Sequence, residues 1–428
     1  MISSPPPRWY AHPYNHPAVY RLVTEPIAIT GAGVVTAIGQ DLDTFWAGLV
    51  TGVSGISEIE RFRVADLRVT RGGEIKKLLR TPAGVGEAEG GGRGRRRSPL
   101  CRTSRLLACA AQEALESAGL ARPLPEPERV AVVIGTALGG MDDAERALGG
   151  VGGLRSVAGA LFDGPTRNLA SWLGARGAIV TVSTACASGA TSLGLAADLV
   201  RDGRADVALA GGADILCRFV MRGFNVLRSL TREEVRPFDR RRTGLLLGEG
   251  AGVVVLERAA RAAARGHRTP MGFLLGHGST ADGSHVTAPD PEGRGLAQAI
   301  RLALREAGLP PEAIDFVSAH GTGTVASDRV ETDVLKRVLG RHAYRVPVNS
   351  IKANLGHTMG AAATLEAIMC LLAGRHGQVP PTLNYREPDP RCDLDWVPNQ
   401  ARRYRPRVSL STSLGFGGCN AALVLAAA

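Results

Sequence analysis

Short apolar runs punctuated by glycine recur along this chain, and most lead into stretches rich in alanine and leucine. Val130 to Gly135, Asp206 to Gly212 and Gly248 to Leu256 read as buried strands, because small and β-branched residues dominate them. Pro26 to Val35 reads as another strand, ending in the glycine turn Gly31-Ala32-Gly33, with Asp43-Thr44-Phe45-Trp46 opening a helix behind it. Between 102 and 118, Leu106, Leu107, Ala110, Ala111 and Leu115 fall on one helical face. Val180 to Val182 reads as a strand that turns at Ser183-Thr184 into a helix running from Ala187 to about Val200. Short apolar strands alternating with Ala-rich helices predict a layered α/β fold.

An Arg/Ala helix around 260–270 gives way to a fresh start at Met271, which sets a boundary between halves at 24–268 and 269–428. In the second half, 314–319 is a strand that delivers His320 to a glycine turn, as 180–184 delivers Cys186. That parallel points to internal duplication. Residues 1–23 are rich in Pro, Tyr and His without an apolar signal-peptide core, and read as a disordered extension. Residues 82–98, through Gly90-Gly91-Gly92 to Arg97, read as a flexible Gly/Arg insertion.

Composition narrows the class. A chain of 428 residues, 44% hydrophobic, has room for a large core in two units. Its seven cysteines show neither CxxC nor zinc-finger spacing, which suits reduced thiols in a cytoplasm. The net charge is +11, but six arginines fall between Arg93 and Arg105, so much of the excess belongs to the insertion. With aromatic content at 4% there is no nucleic-acid module, and the basic balance instead suits steering of an acidic partner. No apolar run reaches membrane-spanning length, since Glu366 interrupts the stretch near 361–373. Gly31 and Gly33 after a strand invite a dinucleotide reading, but Thr36 stands where the third glycine belongs and no ribose-binding acid follows.

Three loops carry chemistry. Cys186 falls on a strand-to-helix turn, where free amides and the helix dipole are expected to stabilise a thiolate. His320-Gly321-Thr322-Gly323-Thr324 follows an apolar strand, with Asp328 and Glu331 on the helix beyond it. Ser350 to His357 sets a second imidazole after a glycine, five residues from Lys352, one of only four lysines in the chain (Lys76, Lys77, Lys336 and Lys352). A lone cysteine or histidine is more often structural. Three of them on glycine-bounded loops are hard to ascribe to separate accidents.

These motifs, VSTACAS around Cys186, HGTGT from His320 to Thr324 and SIKANLGH from Ser350 to His357, resemble those of the β-ketoacyl-acyl carrier protein synthases, closest to elongating type II and type II polyketide enzymes. Supporting segments resemble the family too: Arg236-Pro237-Phe238-Asp239, Gly248 to Gly252, Pro380 to Asn384 and Leu414 to Asn420. The likeness spans about 24 to 428. It implies a thiolase-like α-β-α-β-α fold of two duplicated halves. It also implies decarboxylative condensation of an acyl group with a malonyl unit, both carried on phosphopantetheine of an acidic acyl carrier protein, with no other cofactor and no metal.

By that resemblance Cys186 is the nucleophile, and His320 and His357 hold the malonyl thioester oxygen as carbon dioxide leaves. Lys352 tunes the pair, with Asp328, Glu331 and Glu366 in support. The amides of Cys186 and Phe416 form the oxyanion hole. Phe416 gates the acyl pocket, and Thr322, Thr324 and Gly415 line the substrate path. A homodimer or a heterodimer with a ketosynthase-like subunit is implied, with neither nucleic acid nor membrane as partner. Departures from the family pattern at Cys419, Leu414 and Ser327, and in 150–176 and 217–225, leave acyl length and pathway open. Two other readings stand beside this one. The first is a non-catalytic partner subunit of the chain-length-factor kind. The second is a Cys–His hydrolase, for which no third group to orient the base is evident.

Overall fold

The computed structural model describes residues 25–83, 85, 100–150 and 153–428. The expected N-terminal extension at 1–23 lies outside the described residues, as does 82–98 except for 82, 83 and 85. Ten strands form one sheet: β1 (Ile27–Thr36), β2 (Val130–Gly135), β3 (Ile179–Val182), β4 (Val207–Asp214), β5 (Gly250–Arg258), β6 (Gly272–Ala281), β7 (Phe316–Ser318), β8 (Val348–Asn349), β9 (Val408–Leu414) and β10 (Cys419–Ala427). Their spatial order is β8-β7-β9-β10-β6-β1-β5-β4-β2-β3.

That order is one pattern used twice. Each run of five consecutive strands is arranged third, second, fourth, fifth, first, with the halves meeting at an antiparallel β1–β6 contact, Ile27 opposite Leu274. Strand directions repeat as well. The first three positions are parallel (β3-β2-β4 and β8-β7-β9), and the fifth and then the first strand add antiparallel. The expected duplication is therefore present in the topology, but its register differs from the one expected. The strand before His320 is β7, the counterpart of β2. The counterpart of β3, which leads to Cys186, is β8, which leads to Lys352 and His357. Two catalytic-type loops of similar appearance were matched on local pattern, whereas the equivalence is set by strand order.

Five helices complete the layers: α1 (Arg102–Ser117), α2 (Ser188–Arg201), α3 (Arg294–Ala307), α4 (Val325–Leu339) and α5 (Ala362–His376). α2 and α5 pack on each other and on strands of both halves, forming the middle layer. The sequence of α5 explains that position: Ala362 through Gly374 are all buried, and a helix apolar on every side has to lie in a core. α1 covers the outer face of the first half, with α3 and α4 over the second. Three hydrophobic clusters follow, one around the middle helices and one beneath each outer layer.

Gly31 and Gly33 are not the turn expected of them, because β1 runs straight through both. A Cβ on Gly33 would lie 2.0 Å from the Ala110 carbonyl oxygen, and one on Gly31 2.2 Å from that of Ala114. The glycines let α1 lie directly on the strand backbone. No helix among the described residues is long and apolar enough to cross a membrane.

Candidate active site

Cys186 sits in a single helical turn, Ala185–Ala187, between β3 and α2. The turn is tight enough to force Ala185 to φ 48°, a left-handed conformation that alanine rarely adopts. Ser188 staples it: its Oγ donates to the Ala185 carbonyl at 2.6 Å and accepts from the Thr184 amide at 2.9 Å. The sulfur is buried, and its state is not the thiolate expected from the helix end. Burial pushes the thiol up to about 12. The Lys352 charge and the amides of Phe416 and Cys186 pull the other way, and the Asp214 carboxylate adds to the rise. Desolvation outweighs the dipole because the sulfur itself is buried. His357 Nε2 lies 2.9 Å from Cys186 Sγ, within hydrogen-bond reach of the thiol.

The two imidazoles come from the other half. His320 follows β7, and its loop is held from behind by α4. Glu331 accepts from the His320 amide at 2.7 Å, the Gly321 amide at 2.9 Å and Thr412 Oγ1 at 2.6 Å. Asp328 accepts from the amides of Gly323 and Phe238 at 3.1 and 2.7 Å and faces Arg242 at 3.7 Å. Both carboxylates thus hold main chain. Burial pushes Asp328 up to about 7 and raises Glu331. His357 is strapped to the first half: its amide donates to the Leu246 carbonyl at 2.7 Å, and its carbonyl accepts from the Gly248 amide at 3.0 Å. The His320 and His357 rings stand perpendicular, their centroids 5.3 Å apart.

Lys352 pairs with Glu366 at 2.5 Å, both side chains buried. Burial holds both histidines well below the ordinary imidazole value, and the Lys352 charge adds to that depression. Burial also pushes Glu366 up to about 7 against the pull of Lys352. Two neutral rings beside one lysine are therefore the resting arrangement.

Cys186, His320 and His357 open onto one cavity of ≈ 220 Å³, whose lining includes Thr322, Thr324, Gly415 and Phe416. The Thr322 and Thr324 hydroxyls are 3.0 Å apart. Phe416 stacks on Phe224, with centroids 5.4 Å apart. Lys352, Asp328, Glu331 and Glu366 stand behind the cavity and not in its lining. Sequence reasoning did not single out Phe224, Leu227 and Asp282 in the cavity wall, nor Arg242 and Asp214 behind it. For Asp214 there was a signal, an acid closing the otherwise apolar run Val207 to Ala213. For the others there was none, because local pattern does not tell a wall residue from any other.

Two family models match the chain: "Beta-ketoacyl synthase, N-terminal domain" over 24–262 and "Beta-ketoacyl synthase, C-terminal domain" over 271–386. The chain is 36% identical to 3-oxoacyl-[acyl-carrier-protein] synthase 2 of Synechocystis sp., covering 93% of this chain and 97% of that one. It is 39% identical to the tetracenomycin polyketide synthase ketoacyl synthase alpha subunit of Streptomyces glaucescens, over 94% and 96%. Among solved structures it resembles the ishigamide ketosynthase/chain length factor (TM-score 0.86, 35% identity, 95% of this chain and 100% of that one). It also resembles a type II polyketide ketosynthase solved in complex with its acyl-carrier protein (TM-score 0.84, 29% identity, 95% and 100%).

Proposed function

The chain belongs to the beta-ketoacyl synthase family, and from that premise we propose that it extends an acyl chain by decarboxylative Claisen condensation with malonyl-acyl carrier protein, giving a 3-oxoacyl-acyl carrier protein. The observation that carries the proposal is the meeting of Cys186 with His357 at 2.9 Å and of His357 with His320 over one cavity.

In the first step the Cys186 sulfur attacks the acyl thioester carbonyl. Its proton ends on the departing pantetheine sulfur, so the carrier leaves as a thiol. The tetrahedral oxygen is held by the Cys186 and Phe416 amides, the two groups already directed at the sulfur. In the second step the malonyl carboxylate carbon–carbon bond breaks, carbon dioxide leaves, and the electron pair moves into an enolate whose oxygen is held by N–H groups of His320 and His357. Neutral rings suit this role, since each can donate a proton toward the oxygen without a counter-charge to neutralise it. The enolate carbon then attacks the acyl carbonyl on Cys186, and collapse of that intermediate expels the sulfur as a thiolate, which takes up one proton from solvent to restore the thiol. Electrons and protons balance with no metal or redox partner, so pantetheine on the substrates is the only prosthetic group the proposal requires.

As partners we propose the acidic acyl carrier protein and a second ketosynthase-like subunit, the same chain or a homologue. As location we propose the cytoplasm, in keeping with seven unpaired thiols. Fatty acid and polyketide pathways both fit. A non-catalytic chain-length-factor-like subunit is disfavoured because it has no use for Cys186 with both histidines. The test is incubation with acyl- and malonyl-acyl carrier protein, read by intact mass. Acylation of Cys186 followed by a product two carbons longer supports condensation. Acylation followed by release of free acid identifies a hydrolase, and no acylation at all identifies the partner subunit.

A further inference from the structure

We infer that Asp214 is the positioning residue for His357, pinning the far leg of the His357 loop to the half of the molecule that carries the nucleophile. The inference rests on the roles given above to Cys186 and His357. Asp214 closes β4, is fully buried, and accepts four hydrogen bonds. Three come from its own half: Thr136 Oγ1 at 2.7 Å, the Ala137 amide at 2.8 Å and the Leu138 amide at 3.0 Å. The fourth comes from the other half, the Gly360 amide at 2.6 Å, three residues beyond His357.

The stretch from His357 to Gly360 is short and strained. Met359 sits at φ 52°, a conformation costly for a non-glycine residue, so the surrounding structure has to hold it there. Gly360 is wedged in place, for a Cβ there would lie 2.6 Å from Asp214 Oδ2 and 2.7 Å from the Thr136 Cα. The near leg of the loop is fixed by Leu246 and Gly248. Asp214 fixes the other. Both anchors belong to the first half, and between them the ring from the second half is aimed at Cys186. The same carboxylate bears on the thiol itself, since its negative charge disfavours the thiolate.

The test compares native enzyme with Asp214→Asn in two partial reactions, acyl loading of Cys186 by intact mass and decarboxylation of malonyl-acyl carrier protein. It adds the pH dependence of Cys186 alkylation by iodoacetamide. Asparagine offers one acceptor oxygen in place of two, so an NH₂ group faces either the Ala137 and Gly360 amides or the Leu138 amide, and the pin is weakened in both orientations. Decarboxylation is expected to fall on the order of tenfold to a hundredfold, the effect of a misplacement near 1 Å. Loading should change much less, and the alkylation midpoint should move to lower pH because a negative charge is gone. The other charges around the thiol, Lys352 with Glu366 behind it, and the rings of His320 and His357, are unchanged in this variant. Equal losses in both partial reactions with an unmoved midpoint, or no loss of decarboxylation, overturn the inference. Should Asp214→Asn fail to fold, Thr136→Val removes one donor and keeps the charge. It must then give a smaller loss confined to decarboxylation, with no midpoint shift, and an unchanged rate sinks the inference. Failure of the native enzyme to load would instead sink the assignment of Cys186.

Discussion

At the scale of single residues, the site sets a buried sulfur that holds its proton against two rings that refuse one. Cys186→Ala is expected to abolish acyl loading, read by intact mass, because no other thiol lines the cavity. His357→Ala should retain most loading yet lower condensation by about 10²–10³-fold, the usual cost of one lost donor to a developing oxyanion. Lys352 gives a pH prediction with a definite sign. Its charge disfavours imidazolium and favours thiolate. In the native enzyme both rings stay neutral well below about 6.5, the ordinary imidazole value, so malonyl decarboxylation should keep its rate below that pH. Lys352→Met removes the positive charge, so both rings take protons more readily and the acid limb of the profile moves up. The Cys186 alkylation midpoint moves up as well. A profile unchanged by the substitution would show that Lys352 acts only as a structural partner of Glu366.

At the scale of elements, close approach decides more than propensity. The three loops all leave strands of the central sheet, and two of them are braced by buried carboxylates reaching main-chain amides: Glu331 and Asp328 for the His320 loop, Asp214 for the His357 loop. α1 lies so near β1 that Gly33 has no room for a methyl group, and the nearest atom, the Ala110 carbonyl oxygen, is backbone. Gly33→Ala should therefore cost about 1–3 kcal/mol, as overpacking does when the neighbour has to shift, measured as a lower denaturant midpoint with an unchanged slope. That effect belongs to the fold, so the loading rate of the folded fraction should stay near native. The strand pattern here was legible in the sequence from Val130–Gly135, and the helix from Leu106, Leu107, Ala110, Ala111 and Leu115 on one face of α1. The glycines were misread as a turn, because a glycine that admits a helix and one that bends a strand look alike in one dimension.

At the scale of the whole molecule, the repeated order third-second-fourth-fifth-first brings two loop sets from opposite halves onto one cavity. β3 lies at one end of the sheet, with Ile179 44% exposed, and an open apolar strand edge is a ready surface for a second subunit. The chain should sediment as a dimer, or as a heterodimer when produced with a ketosynthase-like partner. Ile179→Lys should weaken that association, measured by analytical ultracentrifugation. The sequence by itself located the three loops and determined the layered class, because motif spacing and apolar runs are local properties of the chain. Which strands are equivalent, that Cys186 keeps its proton, that Asp328, Glu331 and Glu366 stand behind the chemistry, and that Asp214 ties the halves together were decided only by tertiary structure. Desolvation and hydrogen bonding across more than a hundred residues depend on what surrounds a group in space, which no stretch of sequence carries.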